Sequence, residues 1–543
     1  MVNKELKWKM EYIEDGIEKK EEGKALLGEP LHLSIPLHNA TIKSVEGIID
    51  VNISHDDRFF LNGYQTWTYS KEMDRNGKER GLRGIPSSII KHYSLPLYGD
   101  YTFVPYSGKK GELHGFTYMT IRRGDEFTLL SSLNESYGWT VFFLDTNKGE
   151  IRIKKDIDNL KFDGEFHIFD LYTKKGKEDE VFASWFKEMN LKITKKPLAG
   201  YSSWYNRYQD ISEKTILEDL NGCQKILKKG DLFQIDDGWE MYVGDWFQDR
   251  TKFQSDMKRM VDEIHRRGFL AGLWLAPFVA EEKSDIYKNH KDWLLNIKGE
   301  KFKCGCNWSG FWALDIDNKE FQEYLRKVFD TVYNKWGFDL VKLDFLYAAA
   351  PSSKENETRS ERMIRAMDFL RELSKDKLIL GCGVPLGAAF GRVDYCRVSC
   401  DVTLDWDDKI WMKIIHSERP STKRALETSF HRKALNNGGF ITDPDVFFLR
   451  RDNIHLSKER KMMLSIFDAL NKGLFLTSDN PSLYTEVEIE EYKRVRRIWE
   501  KGEITGIVRG DKTIIHYRVD DKEESLTLPF QSLADDCFTR HYF

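Results

Sequence analysis

The segment Phe338–Phe345 places two reactive side chains at the end of a strand-like pattern. Read with a period of two, Phe338, Leu340, Lys342 and Asp344 share one face of this segment. Packing alone does not explain a lysine and a carboxylate at the end of an otherwise apolar strand. A structural Lys–Asp pair is one explanation; reactive groups at the carboxyl end of a barrel strand are the other.

Chemistry-bearing side chains recur where other predicted strands end. They are Trp204, Asp236, Asp237, Trp274, Lys342, Asp344, Cys382, Arg397 and Asp401. Because the carboxyl ends of parallel strands meet on one face of a barrel, we expect these side chains to converge. Trp204 and Trp274 are also compatible with ordinary core packing, and Cys382 with a small lining residue.

Several carboxylates with tryptophan and basic residues, and no histidine cluster, suggest cleavage of a glycosidic bond. That reaction needs one ionised carboxylate and one protonated carboxyl. We expect Lys342 to keep Asp344 ionised, as a nucleophile requires. The apolar run after Asp401 favours a raised pKa and an acid/base role, whereas Arg397 on the same strand face argues the other way. Asp236 and Asp237 suit either a metal ion or two vicinal sugar hydroxyls.

The elements that must position these residues follow a repeated strand–helix rhythm. Eight strands are predicted, at 199–204, 232–236, 270–275, 340–344, 378–383, 395–400, 439–442 and 474–477. Amphipathic helices are predicted between most of them, such as 213–227, 257–267 and 321–336. Eight such repeats predict a central (β/α)8 TIM barrel at residues 191–485. A long loop, 279–318, separates its third and fourth strands.

Both flanks of the barrel have the alternation of antiparallel strands. Many short strands with turn signals predict an N-terminal β-supersandwich at residues 1–190, ending in a helix at 178–189. Strands at 503–508, 513–519 and 525–529 predict a small C-terminal β-sandwich at residues 486–543. The whole chain is therefore expected to be multidomain, α/β in the centre and all-β on either side.

Composition narrows the class of partner. The 543 residues carry a formal net charge of −4, so no basic field invites nucleic acid or a membrane surface. Seven cysteines, an odd number, fit a reducing compartment, and the first ten residues show no apolar signal region, so we expect a cytoplasmic protein. Cys304 and Cys306 have no second ligand pair at zinc spacing, and we expect no metal site.

At this point the motifs resemble a known family, glycoside hydrolase family 36, the α-galactosidases related to the melibiase-type enzymes. The resemblance covers residues 197–450 and lies in Gln234–Trp239, Trp274–Phe278, Asn307-Trp308, Lys342–Leu346, Leu380–Gly383, Arg397–Asp401 and Asp443-Pro-Asp445. One departure is the run Arg397–Asp401 itself, where family members commonly have Gly-Pro before the aspartate. The pair Cys304 and Cys306 is a second unfamiliar feature, at the barrel entrance.

The resemblance implies a retaining double displacement without a cofactor, with Asp344 as nucleophile and Asp401 as acid/base. Asp236 and Asp237 would bind the C4 and C6 hydroxyls of galactose. The resemblance implies substrate contacts for the remaining residues, with Lys342 and Arg397 at ring hydroxyls and Trp204, Trp274, Cys382 and Trp67 as pocket walls. The implied substrates are small oligosaccharides with a terminal α-galactose, and self-association is implied because oligomers are common in the family.

Other readings of these residues stay open. Galactosyl transfer, as in raffinose-synthase-like enzymes, and α-N-acetylgalactosaminidase activity would use the same two carboxylates. A metal-dependent lyase would use Asp236, Asp237 and Asp344 as ligands. A non-catalytic galactoside-binding protein would need neither Asp344 nor Asp401.

Overall fold

The computed structural model describes residues 2–354, 356–407, 419–510 and 512–530. The predicted C-terminal unit therefore lies in part outside the described residues, since it extends to 543. No helix among the described residues is both long and apolar enough to cross a bilayer.

The N-terminal part of the described chain forms one eleven-stranded sheet, in which the neighbouring strands are antiparallel. Its strands are Val2–Glu14, Ile17–Leu26, Leu31–Val51, Arg58–Leu61, Glu72–Met73, Glu112–Phe116, Tyr118–Arg123, Glu126–Ser132, Trp139–Asp145, Glu150–Asp156 and Lys161–Gly176. The prediction of uniformly short strands is wrong, because Leu31–Val51 runs for 21 residues and pairs with three others. Along it Val45, Ile49 and Val51 alternate inward and bury one face of the sheet.

The central sheet is parallel and contains nine described strands. In chain order they are Ala199–Ser202, Leu232–Ile235, Leu270–Leu275, Leu340–Leu343, Leu378–Gly381, Tyr395–Arg397, Ile441–Asp443, Val446–Phe447 and Phe475–Thr477. Ile441–Asp443 and Val446–Phe447 are the two ends of the strand order, yet only Pro444 and Asp445 separate them in the chain. Most strands end one to three residues earlier than predicted, because the chain leaves the hydrogen-bonded sheet where the polar side chains begin.

Helices surround this sheet, and polar caps fix where several begin. The described α-helices are Ser87–His92, Glu178–Glu188, Trp204–Arg207, Glu213–Cys223, Met257–Arg266, Asp285–Asn289, Lys319–Asp330, Arg359–Ser374, Leu386–Ala389, Thr422–His431, Lys458–Asn471 and Glu486–Lys501. Ser212, Asn318, Thr358 and Ser457 each accept a hydrogen bond from the backbone N–H three residues on. The predicted helix 321–336 begins at Lys319 instead and ends in a π-helical turn, Thr331–Trp336.

Smaller sheets complete the described structure. The predicted loop 279–318 contains a three-stranded sheet, Val279–Glu281, Lys303–Gly305 and Phe311–Ala313. Two-stranded sheets are formed by Glu240–Tyr242 with Asp245–Gln248 and by Asn296–Ile297 with Glu300–Lys301. The last sheet is antiparallel, with strands Glu503–Arg509, Thr513–Val519 and Lys522–Leu528 close to their predicted positions. The domain limits at 190 and 485 stay predictions.

A single buried arginine fastens the loop 62–70, which follows the fourth N-terminal strand, to the central sheet. Arg432, with no exposed surface, donates to Thr66 O at 2.7 Å, to Asn62 Oδ1 at 3.0 Å and to Ser70 Oγ at 3.0 Å, and also to Val398 O at 2.9 Å. The three bonds to the loop cross more than 360 positions of sequence, and together with the bond to Val398 they hold the segment that carries Trp67 against the end of the sixth parallel strand.

We therefore expect Arg432→Met to lower the free energy of unfolding by roughly 3–5 kcal/mol, because several buried acceptors lose a charged donor. Urea denaturation followed by tryptophan fluorescence measures this. Arg250→Met, at an arginine whose side chain is 61% exposed, serves as the control. A loss below about 1 kcal/mol for Arg432→Met would show that water replaces the guanidinium and that other contacts hold the loop.

Candidate active site

A cavity of about 240 Å³ lies at the carboxyl ends of the parallel strands. Its wall consists of Trp67, Trp204, Gln209, Asp236, Asp237, Trp274, Asn307, Trp308, Lys342, Asp344, Phe345 and Asp401. Eight of the ten sequence-predicted site residues are in this wall. The structure therefore brings Asp344 and Asp401 to the same small space, which accommodates one sugar ring.

The fourth strand and its neighbour place Asp344. Lys342 pairs with Trp274 of the third strand in the parallel register, so both side chains point to the inside of the sheet. Asp344 follows directly after the strand and accepts a hydrogen bond from Trp274 Nε1 at 3.1 Å and from Phe345 N at 2.9 Å. Phe345 has a φ of 53°, a strained value for a non-glycine residue, and it turns the chain so that its own ring also lines the cavity.

The lysine of this strand has a different partner from the one predicted. Lys342 Nζ makes its ion pair with Asp236 Oδ2, at 3.0 Å, rather than with Asp344. Burial by itself would lower the pKa of Lys342, but the nearby Asp236 and Asp344 outweigh it and raise that pKa, so the ammonium stays charged. The lysine therefore contributes positive potential to both carboxylates while it anchors only one of them.

Asp236 and Asp237 follow the second strand and differ in their surroundings. Asp236 accepts from Lys342 and from Gln234 Nε2 at 2.8 Å, whereas Asp237 accepts from Trp308 Nε1 at 2.9 Å and from Gln209 Nε2 at 3.0 Å. Burial raises the pKa of Asp237, and Glu240, Trp308 and Gln209 oppose that shift by hydrogen bonds to the carboxylate. Donors thus fix the orientation of both acidic side chains before any ligand is bound.

Glu240 is a buried neighbour of Asp237 that sequence reasoning did not single out. Burial, and then the negative charge of Asp237, raise the pKa of Glu240 well above its ordinary value. A protonated Glu240 donates its proton toward Asp237, which keeps the charge of this pair at one. The predicted pair Asp236 and Asp237 therefore has a third carboxyl group, that of Glu240, next to it.

Asp401 lies four residues after Arg397, the last residue of the sixth strand, and the two are ion-paired at 2.7 Å. Burial raises the pKa of Asp401, while Arg397 and Lys342 oppose the shift. The side chain keeps 38% of its surface exposed, toward the cavity. Both effects that the sequence predicted are therefore present: burial raises the pKa of Asp401, and the ion pair with Arg397 limits that rise.

Arg397 and Cys382 are the two predicted site residues that do not reach the cavity wall. The guanidinium of Arg397 is held by three carboxylates, with Asp443 at 3.0 Å and Asp445 at 2.8 Å besides Asp401, and only 4% of the side chain is exposed. The structure pairs it with the acid/base candidate Asp401, and its predicted contact with sugar hydroxyls stays a prediction. Cys382 is 1% exposed, and burial raises the pKa of its thiol.

Asp445 is one of the three carboxyls that hold Arg397. Burial raises the pKa of Asp445 to about 7 although Arg397 pulls it down. Asp445 accepts from Tyr205 Oη at 2.6 Å and from Val402 N at 2.9 Å, so it fixes the backbone directly after Asp401. The motif Asp443-Pro-Asp445 marked this region in the sequence without indicating that it supports Asp401.

Trp67 reaches the cavity from the N-terminal sheet. Thr66 N donates to Val384 O at 3.1 Å and Gly383 N donates to Thr66 Oγ1 at 2.9 Å, so the loop is joined to the end of the fifth strand. Gly383 has a φ of 61°, and a Cβ there would lie 2.9 Å from the Trp67 ring. The glycine at this position thus makes room for the tryptophan that the resemblance assigned to the site.

Four wall residues were not predicted as site residues. Asn307 and Trp308 belonged to a quoted motif, and an aromatic residue in a long loop after a barrel strand was a usable signal. Gln209 and Phe345 carried no signal of their own. Among the described residues, no group of three or more histidine, cysteine, aspartate or glutamate side chains is arranged to hold a metal ion.

Comparison with known proteins shows similarity to α-galactosidases. The family model called Melibiase matches residues 171–374. The α-galactosidase Mel36A of Lactobacillus acidophilus is 25% identical over 412 residues, which is 68% of this chain and 54% of that protein. The chain thus spans about half the length of this curated relative.

Solved structures match over more of the chain. The α-galactosidase TtGalA of Thermus thermophilus, in complex with p-nitrophenyl α-D-galactopyranoside, is 25% identical with a TM-score of 0.71, over 91% of this chain and 98% of that one. Its complex with stachyose is 26% identical, also with a TM-score of 0.71, over 86% of this chain and 99% of that one. These findings confirm the predicted resemblance to the melibiase-type enzymes of glycoside hydrolase family 36.

Proposed function

We propose that this protein is a retaining, exo-acting α-galactosidase. The observation that carries the proposal is the sugar-sized cavity in which Asp344 and Asp401 face the buried set of Asp236, Asp237 and Lys342. Two carboxyl groups on one ring are what glycoside hydrolysis needs, and the other three groups bind hydroxyls. The similarity to TtGalA, whose complexes contain an α-galactoside and stachyose, supports galactose as the glycone and oligosaccharides as substrates.

The proposed reaction has two steps. Asp344 attacks the anomeric carbon as its bond to the leaving oxygen breaks, and the proton of Asp401 passes to that oxygen. Asp401, now ionised, then takes a proton from water, whose oxygen attacks the anomeric carbon and releases Asp344. The support for these roles is that Trp274 and Phe345 donate to Asp344, while burial raises the pKa of Asp401.

The fold that positions this chemistry is proposed to be the predicted (β/α)8 barrel, flanked by a β-supersandwich and a small β-sandwich. Ile441–Asp443 and Val446–Phe447 pair with opposite neighbours and are two residues apart, so together they supply the seventh of eight positions in a closed ring. Domain limits near 190 and 485, a cytoplasmic location and self-association belong to the same proposal.

The experiment that tests the function is hydrolysis of a panel of nitrophenyl glycosides. We expect release of nitrophenol from the α-galactoside at a kcat/KM at least about 100-fold above that for the α-glucoside, because one well-made hydrogen bond to the axial hydroxyl contributes this much. The β-galactoside should be inert. Faster hydrolysis of the α-N-acetylgalactosaminide would favour that alternative activity, and product formation only with an added sugar acceptor would favour galactosyl transfer.

The pH dependence of kcat/KM for melibiose should report the proton on Asp401. Because the acid must be protonated and its pKa is raised above 3.8, activity should hold through mildly acidic pH and fall as pH rises through that raised pKa. The variant Asp401→Asn should lose this alkaline limb along with most activity. If activity of the variant still falls at the same alkaline pH, a group other than Asp401 is responsible for that fall.

A further inference from the structure

A second cavity, of about 590 Å³, adjoins the sugar-sized one. The two share Trp67, Asn307, Phe345 and Asp401 as wall residues. Because Asp401 is the proposed proton donor to the leaving oxygen, the second cavity is where the leaving group must lie. The inference below rests on the proposed function and concerns this half of the substrate.

The wall of the second cavity is largely apolar. It includes the aliphatic side chains of Ile85, Ile89 and Leu95 and the rings of Tyr93, Tyr98 and Phe345. Aliphatic side chains cannot hydrogen-bond to the hydroxyls of a sugar, and an unpartnered buried hydroxyl is costly. Such a wall favours an apolar occupant.

Two polar side chains of this wall, Tyr98 and Arg419, already bind other protein groups. Tyr98 Oη donates to Asn307 Oδ1 at 2.8 Å and accepts from Cys306 N at 3.3 Å. Arg419 is ion-paired with Asp407 and donates to Pro420 O. A sugar in this cavity would have to compete with these contacts, whereas a hydrocarbon would leave them intact.

The short helix Ser87–His92 and the adjacent Tyr93 contribute apolar side chains to this wall that are not fully buried among the described residues. It has no buried residue, although it carries Ile89 and Ile90, and the adjacent Tyr93 is 51% exposed. Large apolar side chains that line a concave surface beside reactive carboxyl groups are typical of a ligand-binding site.

We propose that this cavity binds the aglycone of α-galactosides of apolar alcohols, a substrate class distinct from oligosaccharides, and that the protein prefers this class. The wall segments that define the preference are 85–98 from the N-terminal region and Cys306 from the loop after the third parallel strand. On cleavage the alcohol leaves with the proton of Asp401, and galactose retains the oxygen of water.

The test is a series of methyl, butyl, hexyl and octyl α-D-galactopyranosides, used below their aggregation concentrations, beside melibiose and raffinose. The leaving alcohols of the alkyl series have nearly equal acidity, so their rates differ through binding alone. Each buried methylene should raise kcat/KM by about 2- to 4-fold, so octyl should exceed methyl by at least roughly 100-fold. A flat alkyl series, or melibiose and raffinose above the octyl compound, would overturn the inference.

Variants locate the effect. Ile89→Asp should flatten the alkyl series, because a charge enters the apolar wall, and Tyr93→Ser, at a half-exposed position where folding is tolerant, should reduce its slope. Ile17→Asp, the same substitution on an exposed strand remote from the cavity, should leave the slope unchanged. A full slope in both Ile89→Asp and Tyr93→Ser would contradict this location.

Hydrolysis of α-galactosyl fluoride tests the α-galactosidase proposal separately from the aglycone proposal. Its leaving group, fluoride, has no apolar part that could occupy the second cavity. Hydrolysis of the fluoride with a flat alkyl series would leave the α-galactosidase proposal standing and remove only the apolar aglycone. Failure to hydrolyse the fluoride and every α-galactoside would remove both.

Discussion

Replacing Asp344 by alanine is expected to lower kcat for p-nitrophenyl α-galactoside by roughly 10⁴-fold or more, since the covalent route is lost. The cavity wall offers no second carboxylate in an equivalent position, because Asp401 is paired to Arg397 and Asp236 to Lys342. Folding should be preserved, as Asp344 is bound by only two donors, Trp274 Nε1 and Phe345 N.

Added azide should restore part of the turnover of Asp344→Ala. The small anion fits the space of the missing carboxylate and attacks the anomeric carbon from the same side, so the product should be β-galactosyl azide. Asp262→Ala, an exposed aspartate of the helix Met257–Arg266, is the control and should behave as wild type. An α-linked azide, or full activity without azide, would assign the nucleophile elsewhere.

Replacing Asp401 by alanine is expected to give a loss that depends on the leaving group. Melibiose needs a proton on its departing oxygen, and its kcat/KM should fall by about 10²- to 10⁴-fold. Dinitrophenyl α-galactoside releases a stable anion without help, and its first step should change by less than about 10-fold. Burial raises the pKa of Asp401, which favours the protonated form that a general acid needs, and this is the reason to expect the split.

The control for this prediction is Asp405→Ala. Asp405 lies on the same segment but pairs with His455 rather than with Arg397, so its removal should leave both substrates unaffected. Equal losses on melibiose and on the dinitrophenyl substrate for Asp401→Ala would remove the acid role. They would point instead to a general disturbance of the Arg397 cluster.

Much of the frame followed from local patterns. The alternation around Leu340–Leu343 and the helical period of Glu213–Cys223 or Met257–Arg266 each depend on near neighbours in the chain, which is why these elements lie close to their predicted limits. The rule that parallel strands gather their carboxyl ends then predicted that Asp236, Lys342, Asp344 and Asp401 lie at one site.

Local sequence patterns did not predict which side chains of the site contact one another. Periodicity puts Lys342 on the inner face, but whether its ammonium meets Asp344 or Asp236 depends on how neighbouring strands are staggered across the sheet. Likewise, the sequence placed Arg397 on the same strand face as Asp401. It did not predict that Asp443 and Asp445 also bind the guanidinium of Arg397.

The sequence of this chain was sufficient for the order of its elements, the inward face of each strand and the chemical class of its rim, since these arise from contacts a few residues apart. Tertiary structure alone decided that Arg432 ties Trp67 to the central sheet and that Ile89 and Tyr93 border the leaving-group side. Such contacts join segments hundreds of positions apart, and their geometry is set by packing of whole elements, on which local periodicity carries no information.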